Sequence, residues 1–231
     1  MTWLNFPLFC MEILIVRYLL GVKLVWTLHN IMPHDRPTSG PYLWSRRFFA
    51  MHCDWVRVFS ESSVLKANEI LRIKKSKLII VPMGDYIDYY ENNTNSHYAR
   101  AQLNLSNDDF VILFFGIIRP YKGIDSLIES FKKYKKVNWK LIIAGMSNLP
   151  NYERNLRDQI GSDSDILFHS RMIKTERVQD YLNAADVVAL PFKMIENSSS
   201  AVLAMGFSKP VIAPNLGVLP ERLMAQPNLL Y

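Results

Sequence analysis

The 231-residue sequence is poor in cysteine and lacks internal repeats and low-complexity segments. Its two cysteines, Cys10 and Cys53, exclude a disulfide framework and have no metal-binding spacing. No period of 20–50 residues recurs, which excludes a solenoid or a propeller. The absence of a cysteine framework agrees with a reduced, cytoplasmic setting, which we expect for this chain.

The sequence also lacks a long, uninterrupted apolar run. Its first twenty residues are apolar, but Glu12 and Arg17 interrupt them and no basic start of the signal-peptide kind precedes them. We therefore expect a buried helix here rather than a membrane span, with a helix lying on a membrane surface as the alternative. Four apolar residues can share one face of that helix: Phe9, Ile13, Val16 and Leu20.

Positive charge exceeds negative charge, and the formal net charge is +6. Much of the excess is local, because four lysines lie within residues 132–136 at the end of a predicted helix. Cations there complement the helix dipole, so we expect no nucleic-acid site. Peripheral contact with the anionic inner face of a membrane is the weaker alternative.

The most informative stretch is Phe110–Gly123, FVILFFGIIRPYKG. Its apolar first half predicts a buried strand, and apolar residues from Ile124 onward recur at helical spacing. Arg119 and Lys122 lie in the loop between the two elements. In open α/β sheets, ligands bind at the carboxyl ends of strands, so two cations at this place favour an anion such as a diphosphate. Solvated loop charges are the alternative explanation.

Strands alternate with helices along the chain, which predicts parallel, doubly wound sheets. The change of character after residue 85 suggests two Rossmann-like domains, residues 1–90 and 91–231. The predicted strands are Val22–Leu28, Trp55–Phe59, Lys77–Val81, Phe110–Gly116, Leu141–Gly145, Asp165–His169, Val187–Leu190 and Val211–Ala213. The predicted helices between them include Tyr42–His52, one capped by Ser60 and ending near Leu71, Tyr98–Leu103, Tyr152–Ile160, one capped by Thr175, and Ala201–Phe207.

Two further loops carry polar groups at predicted strand ends. His29, His34 and Asp35 follow the first strand, where histidines can orient a ligand or move protons. His29 could instead merely cap the strand by bonding to backbone, and these residues fit no known metal geometry. Asn197–Ser200 opens a helix, where four free N–H groups and the dipole suit phosphate oxygens. An ordinary N-cap is the alternative there.

Together these pieces resemble the family 4 glycosyltransferases, the glycogen-synthase-like group whose two facing Rossmann-type domains form the GT-B arrangement. The resemblance covers most of residues 22–221. It rests on the order and spacing of TLHN (27–30), FSES (59–62), VPMGD (81–85), FFGIIRPYKGIDSLIESF (114–131), LIIAG (141–145), YLNAADVVALPF (181–192) and AMGFSKPVIAPNLGVLPE (204–221). The sequence looks like a divergent branch of bacterial surface-polysaccharide enzymes.

The resemblance implies transfer of a sugar from a nucleotide-diphosphate donor to a hydroxyl of a carbohydrate or lipid-linked acceptor. Such enzymes usually retain the anomeric configuration and need no obligatory metal or further cofactor. The implied catalytic residues are His29, Arg119 and Lys122. The implied donor-binding residues are Gly84, Gly116, Arg119, Lys122, Met172, Ile173, Glu196, Asn197, Ser198, Ser199 and Ser200.

The sequence departs from the family pattern in several places. Ile117 occupies the usual place of an arginine, and the family's paired glutamates fall on Ile195 and Leu203, with Glu196 one position away. The family normally has about two more βα units upstream and further helices downstream. We therefore expect a shortened first domain with exposed sheet edges, and either poor solubility or a protein partner that covers those edges.

Two alternatives to a transferase stay open at this point. A non-catalytic relative, such as an accessory subunit of a transferase complex, would explain the missing glutamates. A nucleotide-sugar epimerase of the same architecture would need acid and base carboxylates near the sugar, and the neighbourhood of Glu196 is its only candidate.

Overall fold

The computed structural model describes residues 6–31, 40–224 and 229–231. By their contacts the residues divide into two units, Met1–Met83 and Gly84–Tyr231. The division falls somewhat before the boundary expected between residues 90 and 91. Each unit is an α/β fold with a parallel sheet, as the alternation of elements predicted.

In the described part of the first unit, three short parallel strands form a sheet in the order β1-β2-β3. Val25 lies opposite Trp55, and Val56 lies opposite Leu78. The elements are α1 (Phe6–Leu14), a π-helical turn (Ile15–Leu19), β1 (Val25–Thr27), α2 (Pro41–His52), β2 (Trp55–Val58), α3 (Glu61–Leu71), a 3-10 turn (Lys75–Lys77) and β3 (Leu78–Ile80).

The ends of α3 follow from local chemistry. Ser60 Oγ accepts a hydrogen bond from the Ser63 amide at 3.2 Å, the N-cap that the sequence predicted. The helix ends at Arg72, whose φ of 58° is left-handed. The buried face of α3, including Ala67 and Leu71, packs into the small core of this unit.

Two expectations for the first unit were wrong. The first helix is not buried: α1 has no buried residue, and its Phe6 and Phe9 only meet the rings of α2 edge-on. β1 is short and partly exposed rather than a buried strand from residue 22 to 28, since Val25 is 59% exposed. Apolar composition does not reveal which faces of an element a neighbour covers. No helix within the described ranges is long and apolar enough to cross a bilayer.

In the described part of the second unit, five parallel strands follow the order β6-β5-β4-β7-β8. The elements are α4 (Ser96–Gln102), β4 (Phe110–Phe115), a 3-10 turn (Pro120–Lys122), α5 (Ile124–Tyr134), β5 (Trp139–Gly145), α6 (Pro150–Ile160), β6 (Ile166–Ser170), a 3-10 turn (Thr175–Arg177), α7 (Val178–Ala184), β7 (Val187–Ala189), α8 (Ser199–Gly206), β8 (Val211–Ile212) and α9 (Leu219–Arg222).

The central position of β4 decides where a ligand can bind. The chain passes from β4 to β5 and β6 on one side, and returns to β7 and β8 on the other. The order of strands therefore reverses between β4 and β7. In a doubly wound sheet, such a switch point opens a crevice at the carboxyl ends of the strands.

The helices of this unit cover the sheet with apolar faces. Ile124, Ile128 and Phe131 of α5 are buried in the main core, at the predicted spacing. The predicted cap at Thr175 was wrong. Thr175 begins a 3-10 turn, and α7 follows it without a side-chain cap at Arg177. Every residue of α7 is buried, so tertiary packing rather than a cap holds this helix.

Candidate functional site

The loops that follow β4 and β7 leave the sheet side by side at the switch point. Gly116, directly after β4, has a φ of 141°, and a Cβ built on it would lie 2.7 Å from Ser200 Oγ in α8. Only glycine combines this backbone conformation with so close an approach. The two loops that the sequence predicted to suit an anion, after β4 and before α8, therefore meet in the folded chain.

The loop after β4 is fastened to the segment after β7. Gly123 has a φ of 70°, and a Cβ there would collide with the carbonyl oxygen of Pro191. The amide of Lys193 donates to the carbonyl of Tyr121 at 2.9 Å, and its Nζ pairs with Asp125 at 2.5 Å. These contacts fix the 3-10 turn that carries Lys122.

Lys122 is the most unusual cation of this edge. Its side chain is buried, with the residue 9% exposed, and its Nζ lies 4.0 Å from the centre of the Phe192 ring. Burial lowers the pKa of Lys122 to about 8. No carboxylate among the described residues pairs with it. An apolar pocket thus holds an ammonium group whose charge an incoming anion can satisfy.

Arg119 is half-buried just ahead of this turn. Its neighbour Ile118 is fully buried and its amide donates to the carbonyl of Met146 at 3.0 Å, which anchors the loop. Within the described chain, no carboxylate pairs with the Arg119 guanidinium. Ile117, at the place where the family often has arginine, is 53% exposed.

The beginning of α8 supplies the second group of donors. Ser198 is buried, and its Oγ accepts from the Ala201 amide at 3.1 Å. The amide of Val202 makes a helical bond to the Ser198 carbonyl, so the amides of Ser199 and Ser200 come too early for partners within the helix. The sequence predicted four free amides, but the cap uses one of them.

Backbone contacts with residues 217 and 218 hold the segment before α8 in place. The carbonyl of Glu196 accepts from the Val218 amide at 3.1 Å, and Gly217 comes so close to the Ile195 carbonyl that a Cβ there would collide. Ile195 and Leu203 belong to the buried core. The two positions where the family has glutamates therefore contribute packing in this chain. Asn197 directly precedes the cap.

A cavity of about 350 Å³ lies beside the loop that follows β6. Met172 is 75% exposed, whereas Ile173 packs against the core. The residues that line this cavity are Arg171, Met172, Ile173, Lys174, Arg177 and Tyr181. Nearby, His169 Nδ1 lies 2.9 Å from the Tyr181 hydroxyl, and burial lowers the pKa of His169.

The remaining predicted residues lie outside this edge. His29 is exposed in the first unit, with its ring 5.3 Å from that of Phe59. Gly84 begins the second unit, and a Cβ there would meet nothing within 4 Å. His34 and Asp35 fall outside the described residues.

Sequence reasoning missed the groups that hold these loops. Asp125, Pro191 and Lys193 fasten the Lys122 turn, although they carry no motif of their own. In the first unit, Arg46 donates to the carbonyl of Asn30, next to His29, and its guanidinium lies 4.9 Å from the centre of the Trp26 ring. Nothing in the sequence around Arg46 indicates these two contacts.

Comparison with known proteins agrees with this geometry. A GDP-mannose:glycolipid 4-beta-D-mannosyltransferase of Xanthomonas campestris pv. campestris is 25% identical over 89% of this chain and 54% of its own length. A lipopolysaccharide 1,2-N-acetylglucosaminetransferase of Salmonella typhimurium is 27% identical over 87% of this chain and 51% of its own. The chain thus spans about half the length of these curated relatives.

Solved structures establish the GT-B fold. HepE of Anabaena, crystallised with UDP-glucose, superposes with a TM-score of 0.75 at 20% identity, covering 94% of this chain and 59% of its own. A sucrose-phosphate synthase of Thermosynechococcus elongatus gives 0.74 at 19% identity, covering 95% and 64%. Residues 96–225, more than half of the chain, match the family described as "Glycosyl transferases group 1". The chain belongs to this family of glycosyltransferases.

Proposed function

We propose that this chain takes part in moving a sugar from a nucleotide-diphosphate donor to a hydroxyl group of a carbohydrate or lipid-linked acceptor. One observation carries the proposal: the buried Lys122 lies at the switch point of the second sheet, where the beginning of α8 approaches Gly116. A buried cation beside unpaired helix amides favours a diphosphate.

The chemical role of these groups follows from where charge develops. When the sugar leaves, negative charge grows on the departing nucleotide diphosphate. A cation already held in an apolar pocket stabilises that charge without having to be reorganised. We assign this role to Lys122, with Arg119 beside it and the amides of Ser199 and Ser200 donating to the same phosphates. In this proposal no metal or further cofactor is required.

The nucleoside would occupy the cavity after β6. Met172 and Ile173 offer apolar surface for a base, and the cavity lies at the same carboxyl edge, two strands from β4. Position 203 is occupied by a leucine that is buried in the core, so this chain has no carboxylate there to bind the ribose. We propose that Glu196, Asn197 and the serines up to Ser200 replace that contact.

The acceptor side belongs to the first unit in this proposal. His29 follows β1 at the carboxyl edge of its sheet, and we propose that it contacts a sugar there. HepE was solved with UDP-glucose, and the Xanthomonas relative acts on a glycolipid. We therefore propose a role in glycolipid or surface-polysaccharide assembly, in the cytoplasm at the inner face of the membrane, with retention of configuration and with a protein partner on the first unit.

The buried Leu203 also favours a second candidate. A relative that has lost the ribose-binding carboxylate could serve as a non-catalytic subunit of a transferase complex. Such a chain would keep its fold and bind a partner, but it would not bind a nucleotide diphosphate.

Calorimetric titration with UDP and then GDP separates these candidates. We expect saturable binding of one of them, and Lys122→Met should weaken it by about 1.5–3 kcal/mol, the range for hydrogen bonds to charged groups. Lys133→Met, which removes an exposed lysine from α5, is the matched control and should bind like the parent chain. If a folded sample binds neither nucleotide, this chain lacks a working donor site.

A further inference from the structure

The first unit contains a cavity of about 540 Å³ whose lining is rich in positive charge. It lies between the last turns of α2 and the segment that joins α3 to β3. Four of its lining side chains are cationic: Arg47, Arg72, Lys74 and Lys77. The other lining residues are apolar: Ala50, Met51, Leu71 and Ile73.

This cavity lies far from the edge that carries His29. Residues 72–77 lead into the amino end of β3, whereas His29 follows the carboxyl end of β1. In a parallel sheet these are opposite edges. The cavity therefore forms no part of the edge assigned to the acceptor, and its ligand can be tested separately from nucleotide binding.

Two of the cations are held in place by helix ends. Lys77 Nζ donates to the carbonyls of Met51 and Cys53 at 2.7 and 2.8 Å, at the end of α2. Arg47 donates to the carbonyl of Ile70 at 2.8 Å, at the end of α3. Arg47 Nε, also buried, has no acceptor among the described residues.

The positive charge of the cavity is not neutralised. No ion pair joins any of the four cations to a carboxylate in the part of the chain that the structure describes. Each helix end offers about half a negative charge, so α2 and α3 together offset only about one of the four. Arg72, at the C-terminal cap of α3, has a left-handed φ of 58°.

We propose that this cavity binds a phosphate-bearing anion with an adjoining apolar group. Arg47 and Arg72 can contact phosphate oxygens through two N–H groups each, and Lys74 adds a point charge. The apolar wall, from which Met51 projects with 63% exposure, suits the hydrocarbon part of the same ligand. A phospholipid headgroup and a soluble phosphate ester share this chemistry.

The test compares two charge-removing double variants of the whole chain. Arg72→Gln/Lys74→Gln removes two cavity cations that form no ion pair with any described residue. Lys133→Gln/Lys136→Gln removes two exposed lysines of the second unit and is the matched control. The probes are vesicles of phosphatidylcholine with and without phosphatidylglycerol, followed by co-sedimentation, and glycerol 3-phosphate in solution, followed by calorimetry.

We expect the cavity variant to lose about thirtyfold in affinity for the phosphatidylglycerol vesicles, from the usual contribution of two cations at an anionic surface, while the control keeps its affinity. Loss for vesicles alone identifies a lipid headgroup, and loss for glycerol 3-phosphate as well identifies a soluble ester. Binding of neither probe, or an equal loss in both variants, overturns the proposal. UDP titration of the cavity variant checks that the second unit is intact.

Discussion

Gly116 at the end of β4 and Ser200 in the first turn of α8 approach so closely that a Cβ on Gly116 would lie 2.7 Å from Ser200 Oγ. On its other side, the carbonyl of Gly116 occupies the space where Gly145 would carry a Cβ. Three elements of the second unit thus meet at Gly116, β5 through its backbone and α8 through the Ser200 side chain. This approach holds the early amides of α8 beside the loop that carries Lys122.

Gly116→Ala should therefore damage both stability and the site. The new methyl group would strike Ser200, and the φ of 141° is strained for any L side chain. We expect a loss of about 1–3 kcal/mol in the free energy of unfolding and weaker nucleotide binding. Urea unfolding followed by circular dichroism measures the first, and calorimetry measures the second. Gly84→Ala, where a Cβ meets nothing, is the control for stability; an equal loss there would contradict the explanation.

The lowered pKa of Lys122 predicts how binding depends on pH. With a pKa of about 8 in the folded chain, the side chain loses its charge as the pH rises past that value. Affinity for a nucleotide diphosphate should therefore fall above pH 8, whereas in Lys122→Met this fall should be absent. Titrations between pH 6 and 9.5, roughly spanning that pKa, test this. A parent chain whose affinity stays level across this range would exclude Lys122 as the diphosphate cation.

The same shift predicts a pH dependence of stability. Between pH 8 and 10.5 the unfolded chain still binds the proton that folded Lys122 has released. Stability due to this residue should therefore rise with pH across that window, by an amount on the order of 3 kcal/mol. Urea unfolding of Lys122→Met at each pH gives the comparison, because the variant lacks this contribution. A parent-minus-variant difference that shrinks or stays level as pH rises would contradict the prediction.

Local pattern predicted much of this fold. The run Phe110–Gly116, the stripe of α5 and the Ser60 cap each depend on neighbours within a few residues, so the sequence contains their signal. That the loops after β4 and β7 lie at the same carboxyl edge was also predictable, whereas the adjacency of these two strands was not, because a doubly wound sheet can reverse its order at different strands. The exposure of α1 could not be predicted, because apolar residues that share a helix face do not reveal whether a neighbouring element covers that face.

The fastening of the site depends on pairs distant in sequence. Gly123 meets Pro191, and Asp125 pairs with Lys193, across many tens of residues. A single sequence shows the glycine and the charges but not their partners. Lys122 was predicted as a cation of the site, yet its burial against Phe192 required the folded chain.

A buried glutamine attaches the connector before α4 to α7. Gln179 Oε1 accepts from the amides of Asn93 and Thr94 at 3.0 and 3.2 Å. Gln179→Leu would leave both amides without this acceptor, at a cost of about 1–3 kcal/mol. Hydrogen exchange should then accelerate at Asn93 and Thr94. Gln102→Leu, at the exposed end of α4, should leave those two amides protected; acceleration in both variants would show general destabilisation instead.

The ion pair between Arg100 and Asp186 joins α4 to the beginning of β7. Both Asp186 oxygens accept from Arg100 Nη2, at 2.9 and 2.8 Å, and Arg100 Nε donates to the carbonyl of Ala184. Arg100 is 8% exposed, but the Asp186 side chain keeps 35% exposure, so part of the pairing is screened by water. Arg100→Met should therefore cost about 2–3 kcal/mol, below the range for fully buried pairs.

A double-mutant cycle separates this pairing from the other bonds of both residues. Asp186→Asn keeps an oxygen for the Val111 amide, which donates to Asp186 at 2.7 Å. Arg100→Met/Asp186→Asn should lose less stability than the sum of the single variants, because the carboxylate that Arg100→Met leaves unpaired has then been neutralised. Urea unfolding of all four chains gives the coupling free energy. Strictly additive losses would mean that Arg100 stabilises this edge through the carbonyls of Ala184 and Asn107 and through packing rather than through Asp186.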